Sequence, residues 1–293
     1  MLLAVPNFSE GRDLQALRAI VDAFSSGAPD LLDFHFDTRH NRTAVTLAGQ
    51  PNGLDGALLA GAAAAVERID MRAHQGAHPC IGALDVCPLV HLRDEDRDAA
   101  KGCALGVAER IAGKLDVPVF LYGELASSPE RRERAVFRRG GLPELARRMR
   151  DGELMPDRGP EQPHPTAGAT LVTARPPLAA FNLMLDTDDV EVGRRIAGEL
   201  REAGGGLPGV RAIALELEDG IQISMNVHDP VAVPLGRVVA EVERLSRHGT
   251  KPVLAELVGL VPEAALEGFP AELELADPDL SAHVIERRLA DLD

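Results

Sequence analysis

Apolar and polar positions switch along the chain between a helical period and a strand period, and the switch points mark out the elements. LLAVPNF (residues 2–8) is a short apolar run and predicts a buried strand. The turn Ser9-Glu10-Gly11 leads into DLQALRAIVDAF, where Leu14, Leu17, Ile20, Val21 and Phe24 recur at helical spacing. DLLDFHFDT (30–38) and NRTAVTLAG (41–49) predict two strands joined near Asp37–Asn41, with His35 and Asp37 on the face opposite Phe34 and Phe36. GLDGALLAGAAAAVERI (53–69) predicts an Ala-rich helix able to pack closely on a sheet, and LDVCPLVHL (84–92) a further strand. DEDRDAAKGCALGVAERIAGKL (94–115) predicts a helix whose early acids suit the positive end of its dipole, followed by a strand in PVFLYGEL (118–125). The order β-α-β-β-α-β, with one more helix and strand, is the split βαβ or ferredoxin-like pattern.

The second half repeats this order. Residues 151–167, DGELMPDRGPEQPHPTA, are rich in Pro, Gly and charge and predict an extended connection. GATLVTARPPLAAFNLML supplies strand material, DVEVGRRIAGELREAG a helix, and VRAIALELEDGIQISMNV a hairpin closed around Asp219-Gly220. PLGRVVAEVERLSRHG (234–249) predicts a helix and KPVLAELVGLVPEAAL a strand running into a loop or helix. The expected fold class is therefore α+β, with two ferredoxin-like (split βαβ) subdomains from an apparent duplication. Their expected extents are 1–174 and 175–293.

Composition narrows the function classes. The 293 residues carry no Trp, one Tyr and eight Phe, so the core is aliphatic and aromatic stacking platforms for single-stranded nucleic acid are scarce. A net charge of −15 also argues against a phosphate backbone as partner, but leaves room for a small anion in a local positive pocket. Three cysteines, Cys80, Cys87 and Cys103, make no disulfide framework and fit a reducing compartment. The apolar N-terminal stretch is too short for a signal sequence, and no run approaches the ~18 apolar residues of a membrane span. The expectation is a cytoplasmic protein without membrane or nucleic-acid partners.

Polar residues concentrate in five places. HQGAHPCIGALDVCPLV (74–90) offers His74, His78, Cys80 and Cys87 as zinc ligands by type. Gly76 and Pro79 oppose the helix that a His pair at this spacing needs, and Cys87 sits in a strand pattern that suits a packed thiol. The same stretch holds His78 on a Gly-flanked turn, as a proton shuttle or as a structural residue bonding turn carbonyls. NFSEGR presents Asn7, Ser9 and backbone N–H groups to an anion or amide, or forms an ordinary helix cap. FHFDTRHNRT gathers His35, Asp37, His40, Asn41 and Arg42, as a site or as a solvated hairpin loop. Arg131, Arg132, Arg134, Arg138 and Arg139 form a charge run that is either a solvated helix face or a seat for a carboxylate-bearing ligand. His164, Arg175 and Asn182 lie close to the inferred boundary, where ligand pockets commonly form.

VPNFSEGR, IDMRAHQGAHPCIGALDVCP, PVFLYGELA, PERR, HPTAGAT, ISMN and ELVGLVP occur in this order from Val5 to about Leu266. In these segments the chain resembles the formiminotransferase family, in its stand-alone form without a cyclodeaminase domain. The resemblance implies a folate-binding tunnel between two ferredoxin-like subdomains, a homodimer, and a place in histidine degradation. It implies transfer of a formimidoyl group from N-formimidoyl-glutamate to N5 of tetrahydrofolate, a co-substrate, with no metal. The family's catalytic histidine falls in a G-E-H-P-R-I/M-G-A-x-D-V-C-P motif, and the matching position is His78. Asn7, Asp37, Asn41 and Arg42 are then expected to line the site, and His164, Arg175 and Asn182 to contact the ligand.

Three positions depart from the family pattern. Ala77 and Cys80 stand where Glu and Arg usually flank the His-Pro pair, and His35 replaces an Asp. These departures keep open a different formimidoyl or formyl donor, action on 5-formyltetrahydrofolate, or a non-catalytic folate-binding paralogue.

Overall fold

The computed structural model of the protein describes residues 1–246 and 250–292. The fold is a mixed α+β one that divides into two compact units, Met1–Pro176 and Pro177–Asp293, each with its own sheet. The first unit runs β1 (Leu2–Ala4), β2 (Asn7–Phe8), α1 (Leu14–Phe24), β3 (Asp30–Asp37), β4 (Arg42–Gly49), α2 (Pro51–Arg68) and β5 (Leu84–His91). It continues through α3 (Arg97–Leu115), β6 (Val119–Leu121), α4 (Arg134–Arg138), α5 (Gly141–Arg150) and β7 (Thr170–Arg175).

The first apolar run is one strand in two pieces. β1 and β2 both lie antiparallel between β4 and β5. The break falls at Val5-Pro6, because a proline has no N–H to give to the ladder. The flanking contacts survive: Val5 N–H donates to the Pro88 carbonyl at 3.0 Å, and the Pro6 carbonyl accepts from Val45 N–H at 2.9 Å. β5 continues through parallel pairings to β7 and β6, and all eight of its residues are buried. Parallel strands covered on both faces read as continuous apolar runs. One Asp in such a run, Asp85, is therefore an anomaly.

On one face of this sheet lie α1, α2 and α3. The Asp13 carboxylate caps α1 by accepting from the N–H groups of Gln15 and Ala16, and Leu17, Ile20, Val21 and Phe24 are buried as the spacing predicts. Leu14, at the margin of that apolar stripe, is exposed instead. Small residues bring α2 close: Gly61, Ala62 and Ala65 face inward, and the Phe24 ring stacks on Phe8 with centroids 6.2 Å apart. On the other face, Val86, Phe120, Tyr122 and Leu171 pack against Phe137, Leu145 and Met149 from α4 and α5. The edge strand β3 shows the expected alternation, and its aromatic side is the open one: Phe34 is 43% and Phe36 41% exposed.

The second unit runs β8 (Ala179–Leu185), α6 (Val190–Leu200), β9 (Val210–Leu217), β10 (Gly220–Val227), α7 (Leu235–Leu245), β11 (Pro252–Leu257), β12 (Glu274–Leu275) and α8 (Ile285–Ala290). Its sheet is ordered β12-β11-β8-β10-β9. Pro176-Pro177 divides the strand material of 168–185, giving β7 to the first unit and β8 to the second. The hairpin differs by one residue from expectation: Leu217 pairs with Gly220, so Glu218-Asp219 is the loop and Gly220 opens β10. The helix expected to reach Gly204 ends at Leu200, before a glycine run that disfavours continuation. The end of the helix expected over 234–249, Arg247–Gly249, lies outside the described residues.

Each unit places its first strand beside its third and fourth, and its third beside its second: β5–β1/β2–β4–β3 and β11–β8–β10–β9. No helix among the described residues is long and apolar enough to cross a membrane. The closest helix contact supplies a test of this packing. A Cβ at Gly61 would overlap the Phe24 ring. Gly61→Ala should therefore destabilise the protein by about 1–3 kcal/mol, the usual cost of overpacking, in spite of the better helix propensity of Ala. Urea unfolding measures this, and an unchanged midpoint would contradict the packing.

Candidate active site

Residues 69–83 link α2 to β5 without helix or strand, and cross the turn between β3 and β4. The crossing is tight. A Cβ on Gly76 would strike the His40 carbonyl oxygen, so this position admits only glycine. Ala77 N–H donates to the Arg39 carbonyl at 3.1 Å. Asn41, buried and in the left-handed backbone region at φ 48°, ties three segments together. Its Oδ1 accepts from Gly11 N–H at 2.9 Å, and its Nδ2 donates to the Gln75 carbonyl at 3.1 Å and lies 3.3 Å from His74 Nδ1.

Asp85 organises the charge below this loop. Its side chain is 0% exposed, and Oδ1 accepts from Ile81 N–H at 2.9 Å. Oδ2 takes Arg42 Nη1 at 2.7 Å and also pairs with Arg138. Arg42 Nε donates to Asn7 Oδ1 at 3.1 Å, and Asn7 Nδ2 donates in turn to the Val5 carbonyl at 2.9 Å. Burial alone would raise the Asp85 carboxyl, but Arg138, Arg42 and the Ile81 amide outweigh it and hold the group below its ordinary value.

His78 sits half-buried in a bend over this cluster. Its pKa is held well below the ordinary histidine value, first by burial and then by the charges of Arg42, Arg138, Arg134 and His40. His78 Nδ1 is buried and makes no hydrogen bond. The His40 ring meets His78 edge-on, with centroids 6.2 Å apart. His40 Nδ1 lies 3.1 Å from Asp37 Oδ1, while its Nε2 is buried and unbonded. Asp37 also accepts from the backbone N–H groups of Arg39 and His40 at 2.6 and 2.7 Å. Burial would raise Asp37, and the hydrogen bonds and charge of His40, with Arg39, pull it far below the usual carboxylate range.

Asn7, Asp37, Asn41, Arg42 and His78 are thus joined through short chains of contact. Arg175 belongs to the same unit and lies in range of Tyr122 and Arg134; burial chiefly, with Arg134 adding, lowers its pKa to about 10. His164 is used by its own turn: Nδ1 accepts from Thr166 and Ala167 N–H at 3.3 and 3.0 Å. Asn182 lies in the second unit and donates to Glu256 at 2.9 Å. The zinc arrangement does not form: His74 faces Asn41, Cys87 packs in the helical core, and no metal-holding group of three or more His, Cys, Asp or Glu exists among the described residues. Cys80 remains a thiol, its pKa raised by burial and by Asp85.

Asp85 and Tyr122 were not singled out by the sequence, whereas Arg134 and Arg138 were noted only within a charge run that could be a solvated face or a carboxylate seat. Asp85 carried a signal, because a carboxylate inside LDVCPLV needs a buried cation. Its partners lie 43 and 53 residues away, and nothing in the sequence tied Arg42 or Arg138 to it.

The formiminotransferase domain, N-terminal subdomain, matches residues 1–175. The glutamate formimidoyltransferase of Streptococcus pyogenes serotype M1 is 36% identical over 290 residues, 97% of each chain. That of Thermoplasma acidophilum is 39% identical over 269 residues, covering 89% of this chain and 88% of the relative. The formimidoyltransferase-cyclodeaminase of Rattus norvegicus is 40% identical over 273 residues, 89% of this chain and 50% of the relative. The chain belongs to the formiminotransferase family of enzymes.

Proposed function

We propose that the chain moves a formimidoyl group from N-formimidoyl-glutamate to N5 of tetrahydrofolate, with His78 as general acid and base. One observation carries this reading: a buried, unbonded His78 Nδ1 beside a cluster of cations. N5 attacks the formimidoyl carbon, and a neutral imidazole takes the N5 proton as the new C–N bond forms. The tetrahedral intermediate then breaks its bond to the donor nitrogen, which receives the proton from His78 and leaves as the amine of glutamate. A depressed pKa keeps His78 neutral for the first step and makes its protonated form a strong acid for the second.

Asn7 and Arg42 frame the charge cluster, Asp37 orients His40, and Asn41 fixes the loop that carries His78. His164 acts by shaping the HPTAG turn, since its Nδ1 is engaged there. Arg175 contacts a ligand from the first unit, and Asn182 is a ligand residue of the second. Ala77 and Cys80 leave the positive character intact, because Asp85 holds Arg42 and Arg138 directly. That favours the anionic glutamate donor over a neutral one. The reading carries with it two ferredoxin-like subdomains from one duplication, for which the recurring strand order is the support. It also carries a cytoplasmic homodimer working in histidine degradation.

Purified protein given N-formimidoyl-glutamate and tetrahydrofolate should form 5-formimidoyl-tetrahydrofolate. His78→Ala should lower kcat by about 10²–10⁴-fold, as loss of a general acid/base does, with an unchanged unfolding midpoint. Equal turnover by the variant would remove His78 from the chemistry. In the pH profile of kcat/KM, the basic form of His78 is the active one, and a lowered pKa moves the acid limb to lower pH. Activity should persist as pH falls through about 6.5, the ordinary histidine value, and decline below it. A limb at or above that value would contradict the neutral imidazole.

A further inference from the structure

The arginines of the segment around α4 do not share one fate. Arg134 and Arg138 are spaced i and i+4 on one side of α4, and Arg131 ends the short 3-10 turn Pro129–Arg131 that precedes it. Arg131 lies over the Phe120 and Phe137 rings, at 5.7 and 5.6 Å, and bonds Asp157 at 2.6 Å. Arg138 pairs with Asp85. The middle one, Arg134, lies over the Tyr122 ring at 6.0 Å and has no carboxylate partner in ion-pair distance among the described residues. A ring face supplies only part of what a guanidinium needs, since its planar fork of N–H donors matches a carboxylate.

A second cation stands near it. Along β7, Leu171, Thr173 and Arg175 share one face, and Leu171 packs with Tyr122 and Phe137 on the α4 side. Arg175 therefore rises toward Arg134, and its guanidinium donates, among the described residues, to the Pro176 carbonyl, at 2.9 Å. Around His78 there are thus three guanidiniums, Arg42, Arg134 and Arg138, with Arg175 next to Arg134, and the buried carboxylate among them is Asp85. The unbalanced pair is Arg134 with Arg175. In a chain of net charge −15 such a surplus is not a consequence of composition.

We infer that Arg134, supported by Arg175, binds a carboxylate of a glutamyl group and so sets substrate affinity at the His78 site. The inference rests on the proposed transfer, in which two molecules carry a glutamyl group: the donor and the tail of tetrahydrofolate. The side chain does not touch the reacting carbon or N5. It is a binding residue, and its loss should appear in KM far more than in kcat.

The test compares wild type with Arg134→Gln and Arg134→Lys, by steady-state kinetics and by calorimetric titration. Probes are N-formimidoyl-glutamate, tetrahydrofolate, and tetrahydropteroate, which lacks the tail. Loss of one charge-assisted contact should raise KM and Kd about tenfold or more in Arg134→Gln, and less in Arg134→Lys. A rise for the donor alone assigns the site to the donor. A rise for tetrahydrofolate but not tetrahydropteroate assigns it to the folate tail. Unchanged values for both substrates overturn the inference. The unfolding midpoint of ligand-free Arg134→Gln should hold or rise, since one of several like charges is removed; a fall with unchanged Kd would mean a packing role and would also overturn it. Should wild type turn over neither substrate, the transfer reading fails, and glutarate decides this inference by itself. Tenfold weaker glutarate binding by Arg134→Gln supports it, and equal or no binding by wild type and variant refutes it.

Discussion

A carboxylate sealed inside a sheet is costly unless its charge is answered, and Asp85 is answered twice. The effective penalty for burying an ion is several kcal/mol, and attraction compensates only where geometry is good and the remaining lone pairs are bonded. Asp85 meets both conditions, with two guanidiniums on Oδ2 and the Ile81 amide on Oδ1. Those partners come from β4, from α4 and from the loop that carries His78, so one residue of β5 holds three separate parts of the first unit in register. The backbone does the rest nearby: Gly76 admits the His40 carbonyl, and Asn41 bonds Gly11 and Gln75 across the same crossing.

The same ion cluster determines how His78 behaves. Asp85 neutralises one unit of charge and is already shared between Arg42 and Arg138, so the imidazole above it sees a net positive field. An imidazolium there is disfavoured by burial and by repulsion together. The proton affinity of His78 is therefore weak, which in the proposed transfer would be no handicap, because there the proton comes from a pterin nitrogen made acidic by forming a new bond. It becomes an advantage in the next step, when the proton must leave. His40 differs in its contacts, because its Nδ1 faces Asp37 Oδ1 directly at 3.1 Å.

How much of this was legible in the sequence depends on whether a feature is local. The α1 stripe, the β3 alternation and the β9–β10 hairpin are periodic within one segment, and they stand close to where the spacing put them. The exceptions have local causes: Pro6 interrupts the first strand, and Gly204–Gly206 shorten α6. The site is different. His78, Asn41 and Arg42 stood out by type and crowding, and the structure brings them together. Asp85 looked like one more residue of a core strand, and Arg138 like one more charge in a solvated run. What joins them is a pairing across 53 residues, which no period encodes. His164 drew notice as a ligand residue by type, and the period of the chain did not show that its Nδ1 also accepts from the N–H groups of its own turn.

The charge of the whole chain and the charge of the site have opposite signs, and distance reconciles them. The acidic surface repels anions at long range, but at physiological ionic strength that field decays over about 8 Å. A substrate within reach of Arg134, Arg175 and Arg42 feels those groups far more than the distant carboxylates, because the medium between them is protein rather than salt water. The carboxylate binding inferred for Arg134 is therefore compatible with a chain that carries 46 acidic side chains against 31 basic ones. The acids matter in another way. Where they pair with other arginines, as Asp157 does with Arg131 and Asp85 with Arg138, they hold those cations to fixed places, while the Arg134 guanidinium lies over the Tyr122 ring.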